Sequence, residues 1–381
     1  METCSSRTND LSAIEAKVAA GRRLTRDDGL ALWASSDLPA IGALADGVRR
    51  RKNGLDAWYC ANTHVNYTNR CVNQCPLCAF WRGADNAEGY LLTVDEIVDR
   101  AAPDVEAGAT EIHIVGGLQP EAGLDYYLAM VGRLHEAFPQ VCIQALTAVE
   151  VAHAARGAGL APATVLARLK AAGLSGLPGG GAEIFDTEVR RRICPNKIPA
   201  AEWLDIHRQA HALGIPTHAT MLYGHVESPA HRVDHLLTLR DLQDETGGIA
   251  AFIPLPFHPE GTHLSDQPGC RREGTTAVED LKTMAVARLL LDNVPHVKAF
   301  WIMLTPAVAQ VALRFGADDV DGTVIREEIT HAAGACTPQH LTVTDLVDLA
   351  RGAGCRPVER DTLYRRIQRG PRPHQWRRVT A

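Results

Sequence analysis

At 381 residues and 46% hydrophobic content the chain can bury a large core, and α/β barrels of this length fold as one unit. Its net charge of −6 gives no electrostatic case for nucleic acid or a membrane surface, and no run approaches the roughly 18 apolar residues needed to cross a bilayer. The opening segment METCSSRTNDLSAIEAK turns polar at once and lacks the apolar core of a secretory signal, so a cytoplasmic location is expected.

Residues 10–58 read as helical, because SAIEAKVAAG and ALADGVRRRKNG carry apolar residues three and four apart with charges between. Residues 1–60 are therefore expected to form an N-terminal helical cap. From about residue 62 short β-rich runs alternate with helical ones. The expected strands are NTHVNY (62–67), EIHIVGG (111–117), VCIQALT (141–147), a short run within GLSGLPGGGAE (173–183), IPTHATMLY (215–223), IAAFIPL (249–255) and HVKAFWIML (296–304). An eighth is either GTVIRE or CRPVER. Between them VDEIVDRAAPDVEAG, YYLAMVGRLHEAF, ATVLARLKAAG, AEWLDIHRQAHALG, VDHLLTLRDLQDETG and VEDLKTMAVARLLLDN read as amphipathic helices.

About eight such units predict a parallel sheet closed into a (β/α)8 barrel of the TIM type over residues 61–364. The Arg- and Pro-rich stretch 365–381 reads as a basic, flexible tail. In such barrels the chemistry sits where strands end. Cys71, Cys75 and Cys78 follow the first expected strand, Gly116-Gly117 closes the second, Thr147 to Glu150 the third, Gly179 to Glu183 the fourth and Gly224 to Glu227 the fifth.

Ten cysteines are too few for a disulfide scaffold of this size, so a cluster of them reads as a metal site. Cys4, Cys60, Cys142, Cys194, Cys270, Cys336 and Cys355 are scattered, and each is expected to be a small buried hydrophobe. Cys71-x3-Cys75-x2-Cys78 is different. Three thiolates on one loop can grip three irons of a [4Fe–4S] cubane and leave the fourth iron open, whereas an electron-carrier cluster wants four cysteines. A zinc knuckle completed by His64 or another cysteine is the alternative.

That spacing is the pattern of the radical S-adenosylmethionine (SAM) superfamily. Within it, EIHIVGGLQPE, LTAVEV, PGGGAEIFD, RRRICPNKI, FIPLPFHPEGT and QVALRFGADDVDGTV resemble the aminofutalosine synthase family, in register from about residue 55 to 365. The resemblance implies a [4Fe–4S] cluster on the three cysteines and SAM consumed as co-substrate, with methionine leaving. It implies addition of the 5′-deoxyadenosyl radical to the enol-ether methylene of 3-[(1-carboxyvinyl)oxy]benzoate. Attack on the arene, migration of the carboxyvinyl unit and loss of carboxylate would then give aminofutalosine, on a route to menaquinone. The implied partners are this small aromatic enol ether and an electron donor such as flavodoxin or ferredoxin.

For SAM the resemblance points to Leu77, Gly116, Gly117 and Glu183, and to Met221, Gly224, Glu227 and Phe252 around the nucleoside. Each has a plainer reading: a turn for the glycines, a solvated carboxylate for Glu183, packing for Leu77, Met221 and Phe252. Tyr223 and His225, flanking Gly224, are the expected catalytic-site pair, and His113, His258, Lys298 and Arg82 are further candidates for holding the acceptor's carboxylates. Departures from the family pattern cluster near these positions. Gln119 stands for histidine, Gln144 for lysine, His218 for asparagine and Thr305 for glycine. A divergent enzyme that adenosylates another olefinic acceptor, in nucleoside natural-product synthesis, is the competing reading. Dehypoxanthinylfutalosine cyclase and deazaflavin-cofactor synthase subunits share the cysteine loop but match PGGGAEIFD and RRRICPNKI less well. A non-catalytic iron–sulfur or zinc protein would leave the glycine-rich strand ends without a purpose.

Overall fold

The computed structural model of the chain describes residues 11–379; Cys4 and most of the polar opening segment lie outside them. Three helices come first, α1 (Ser12–Ala19), α2 (Arg26–Ala34) and α3 (Leu38–Asn53). They brace the side of the molecule rather than cap its mouth: α3 packs on the helix Ala277–Leu290 and α2 on Pro229–Thr246. The helical region stops short of the expected boundary, because β1 (Asp56–Cys60) already belongs to the sheet.

The remaining strands are β2 (Asn62–Val65), β3 (Glu111–Ile114), β4 (Cys142–Ala145), β5 (Thr217–Tyr223), β6 (Ile249–Pro256), β7 (His296–Val297), β8 (Asp319–Gly322), β9 (Arg356–Glu359), β10 (Arg366–Arg369) and β11 (Trp376–Val379). Only Ala61 separates β1 from β2, so the two act as one first strand. Pairs β2-β3-β4 and β5-β6-β7 are joined by bridges from Gln144 to Gly176 and from Leu177 to Thr217. Lys298 bridges to Asp319 of β8, β8 pairs with β1, and Ile325 bridges to Thr63 of β2. The circuit closes, and every link is parallel. This is the TIM-type barrel, with two strand positions reduced to fragments.

Those fragments revise three expectations. In 173–183 only Gly176 and Leu177 bridge to neighbours. The run 296–304 gives two strand residues and then the short helix Trp301–Leu304, anchored where Trp301 Nε1 donates to Gly322 O at 2.8 Å. Of the two candidates for an eighth strand, CRPVER supplies β9, which pairs with β1 at the barrel's base, while the circuit is closed by β8 together with GTVIRE, which shares Gly322 with β8 and supplies the bridging Ile325. The six expected helices all form, within Val94–Glu106, Leu124–Ala137, Pro162–Ala172, Ala200–Ala212, Pro229–Thr246 and Ala277–Leu290.

The stretch read as a flexible tail folds into the antiparallel hairpin β10–β11. Ion pairs explain why. Arg378 reaches Asp361 at 2.7 Å, Arg366 reaches Asp56, and Arg369 grips Glu359, three carboxylates that the base of the barrel buries. Cys60, Cys142, Cys194 and Cys355 are buried as expected, but Cys270 is only half-buried and Cys336 is exposed, since both lie on surface loops.

Thr305, at the position where the family pattern has glycine, adopts φ 79° and ψ 150°, a conformation costing a β-branched residue about 1–3 kcal/mol. Its hydroxyl caps Pro306–Ala312 by accepting from Val308 N at 3.3 Å. Thr305→Gly relieves the strain, forfeits a few tenths of a kcal/mol of capping and adds unfolded-chain entropy. The expected net is about 1 kcal/mol of stabilisation, a rise in Tm of roughly 2–4 °C by thermal unfolding.

Candidate functional site

The carboxyl ends of the strands surround a cavity of about 350 Å³. Its mouth is closed by the loop that leaves β2, and Cys71, Cys75 and Cys78 all line it as free thiols. The loop is tied down from three sides. Cys71 N donates to Arg82 O at 3.1 Å, Val72 N to Leu118 O at 2.8 Å and Leu77 N to Ile193 O at 3.3 Å. Gly117 makes the approach possible, since a Cβ there would meet Arg70 O at 2.2 Å. Gly116 likewise lies against the ring of Tyr67, whose hydroxyl oxygen stands 3.2 Å from Gly117 O.

The donor set fits an iron–sulfur cluster. Burial pushes the Cys75 thiol up to about 12 and raises that of Cys78, while the Lys197 ammonium opposes both and the N–H groups of Phe80 and Trp81 favour the Cys78 thiolate. Iron would reverse that balance by binding the thiolates. Among the described residues no three His, Cys, Asp or Glu groups stand close enough to share one ion. A cubane needs no such convergence, because it offers each thiolate its own iron.

Beside the thiols stands a buried ion pair. Glu183 sits at the end of the PGGGAE turn with φ 47°, lines the cavity and is gripped by Lys197. Burial would raise the Glu183 carboxyl, but Lys197 outweighs it and holds it below the usual range. Leu77 completes this side.

Opposite, Glu150 also lines the cavity. It accepts from Tyr67 OH at 2.8 Å, Gly116 N at 3.2 Å and Thr147 N at 2.6 Å. Burial pushes it up to about 7 despite these donors. Sequence reading missed Lys197, and it placed Glu150 at the rim without giving it a role. Lys197 lies 14 positions from its partner with no periodic link, and Thr147-x-x-Glu150 reads as the capping box that it also is.

The floor is polar. His64, His113 and Gln144 occupy one level of β2, β3 and β4, directly paired in register. His64 and His113 stack with ring centroids 4.6 Å apart. Gln144 joins His113 Nδ1 at 3.2 Å to His218 Nδ1 at 2.8 Å. Two departures from the family pattern, Gln144 and His218, are thus a bonded pair inside the cavity. Gln119 stays outside it, with its carbonyl 3.2 Å from the His153 Nε2. Glu111, Lys298 and Asp321 complete the floor, and Ile253, Leu255, Phe257, Phe300 and Met303 form an apolar wall above it.

Six expected site residues are not brought to the cavity. On β5, His218, Thr220 and Leu222 line it, so Met221 and Tyr223 face outward. Tyr223 is buried and donates to Asp280 at 2.8 Å. On β6 the same alternation turns Phe252 away while Ile253 and Leu255 face in. Gly224, with φ 90°, serves no ring: a Cβ would meet Thr275 Cγ2 at 2.3 Å. Glu227 folds back to accept from Gly224 N at 2.6 Å and His225 N at 2.9 Å, and Arg232 Nε donates to it at 2.7 Å. His225 is buried beside it, its Nε2 3.1 Å from Leu222 O. These residues knot the loop after β5.

Of the other candidates, His113, His258 and Lys298 line the cavity, whereas Arg82 is spent on Glu88 and loop carbonyls. Tyr223→Phe is accordingly expected to leave kcat and KM unchanged. It should cost about 1–2 kcal/mol in thermal unfolding, the worth of a buried bond to a carboxylate.

Comparison with known proteins agrees with this architecture. The radical SAM superfamily profile matches residues 65–239, and that of the CofH/MqnC C-terminal region matches 246–372. Aminodeoxyfutalosine synthase of Thermus thermophilus is 47% identical over 371 residues, covering 97% of this chain and 98% of that protein. A 5-amino-6-(D-ribitylamino)uracil–L-tyrosine 4-hydroxyphenyl transferase of Methanosarcina acetivorans is 41% identical, over 91% of this chain and 92% of its own. Among solved structures methylornithine synthase (PylB) superposes with a TM-score of 0.73 at 18% identity, covering 90% of this chain and 97% of that one, a likeness of fold alone. No helix among the described residues is long and apolar enough to cross a membrane. The chain belongs to the radical SAM superfamily and, within it, to the aminodeoxyfutalosine synthase family.

Proposed function

We propose that this radical SAM enzyme adds the 5′-deoxyadenosyl group of SAM to the enol-ether carbon of 3-[(1-carboxyvinyl)oxy]benzoate, with rearrangement and decarboxylation to 6-amino-6-deoxyfutalosine. The observation that carries the reading is the division of one cavity into a thiol-lined mouth, an apolar wall and a polar floor. A [4Fe–4S] cluster held by Cys71, Cys75 and Cys78 would supply the electron that cleaves SAM, drawn from a donor such as flavodoxin or ferredoxin. In this reading Glu183 and Lys197 meet the charged methionyl end of SAM and Leu77 its adenosyl side, a reading supported by their lining the cavity beside the thiols, while Gly116 and Gly117 add no side chains there. The apolar wall takes the arene and excludes water, which radical addition requires more than it requires proton transfer.

The Gln144–His218 pair favours a second reading, an acceptor other than the benzoate. Anaerobic enzyme reduced with dithionite and given SAM decides between them. The carboxyvinyloxybenzoate should be adenosylated, as seen by mass spectrometry, and 5-amino-6-(D-ribitylamino)uracil with L-tyrosine should not react. The free 5′-deoxyadenosine without adduct from either mixture would favour the second reading.

A further inference from the structure

The two lysines that line the cavity differ in what holds them. Lys197 is bound to Glu183 at the mouth. Lys298, which follows β7, is 2% exposed; its backbone N donates to Phe252 O at 2.9 Å, but its ammonium makes no hydrogen bond, and its ionic neighbour Asp321 stands 3.7 Å away, beyond hydrogen-bond reach. The Asp321 and Glu111 carboxylates offset part of this charge's desolvation, but its three N–H donors stay unspent, and a ligand can take them.

His64 and His218 are held well below the usual imidazole range, by burial first and then by Lys298, the charge each of them feels most after His113 in one case and before every other in the second. Both are therefore neutral. Gln144 Nε2 lies 2.8 Å from His218 Nδ1 and 3.4 Å from its Nε2; an amide nitrogen only donates, so the neutral ring accepts at the nearer Nδ1 and carries its proton on Nε2, where Gln144 cannot accept it.

We propose that Lys298, with His218 Nε2–H as second donor, anchors a carboxylate at the end of the substrate remote from the reacting carbon. The inference rests on the acceptor reading above. The reacting methylene has to face the thiols, the arene lies along Ile253, Leu255 and Phe300, and the ring carboxylate then points to the floor, where the Lys298 ammonium has its donors unspent. Lys298 is a positioning residue: it touches the substrate's distal group and sets how far the olefin stands from the mouth.

The test is calorimetric binding to oxidised, cluster-loaded enzyme with SAM, where no turnover occurs. Two probes are compared, 3-[(1-carboxyvinyl)oxy]benzoate and 2-phenoxyacrylate, which lacks only the ring carboxylate. The native enzyme should prefer the diacid by about 30-fold, the worth of a charge-assisted contact, and Lys298→Met should reduce that preference to within about 3-fold. Lys298→Arg, which keeps the charge, should retain most of it. If the methionine variant does not fold, Lys298→Gln is read in the same way. A preference that survives neutralisation overturns the anchor and leaves Lys298 as a counter-ion to Asp321. Native enzyme that binds both probes alike also overturns it while the acceptor reading stands; native enzyme that binds neither removes both.

Discussion

Replacing Cys75 with alanine is expected to abolish SAM cleavage while the barrel remains folded. The native protein after anaerobic reconstitution should hold about four irons per chain, and the variant close to none, because two thiolates cannot retain a cubane. Cys75 is the most buried of the three, 4% exposed, and sits where the loop meets Cys194 and Lys197. Cys194→Ala is the control. That thiol is buried near Cys75 but does not line the cavity, so its loss should cost about 1–2 kcal/mol of packing and leave iron content intact. Iron analysis, the visible spectrum and 5′-deoxyadenosine release separate the two variants. Equal iron loss in both would mean that Cys194 serves as a ligand and that the open coordination position is absent.

Lys197→Met is expected to have the second largest effect. It leaves Glu183 buried without its cation, which costs about 3–5 kcal/mol. The pH dependence gives the sign. In the native protein the Glu183 carboxyl is held below its unfolded value, so its contribution is present above that value, near pH 4.3, and is lost as pH falls through the folded one. Without Lys197, burial is opposed only by the more distant Arg190 and His225 and is expected to raise the carboxyl, so the variant loses stability as pH rises through the shifted value. The gap in Tm between the two proteins should be small at pH 4–5 and widest at neutrality. The KM for SAM should rise in parallel. A gap independent of pH would show that Lys197 acts through packing alone.

Much of the site's outline was legible because chain chemistry marks it locally. The cysteine spacing, the paired glycines just after β3 and the PGGGAE turn all fall at strand ends, and these residues do meet at one rim. Side-chain parity was not legible. β5 is buried along its whole length, so no alternation of polarity tells His218, Thr220 and Leu222 from Met221 and Tyr223. β8 was hidden for a different reason. Asp319-Val320-Asp321-Gly322 looks like a turn, and it is a strand because Arg360 and Tyr364, some 40 positions on, satisfy Asp319 inside the barrel. The hairpin at the end of the chain is likewise decided by carboxylates far away in sequence, Asp56 among them. The Gln144–His218 contact joins residues 74 positions apart, and only the closed circuit of strands brings them together.

The central claim is that one cavity joins the adenosyl carbon to the acceptor rather than merely generating a radical. SAM labelled with ¹³C at C5′, given to reduced enzyme with the carboxyvinyloxybenzoate, tests it most directly. The label should appear in a product of the mass of 6-amino-6-deoxyfutalosine, with C5′ bonded to carbon and little free 5′-deoxyadenosine. Label found only in 5′-deoxyadenosine, from enzyme with a full cluster, would contradict the account.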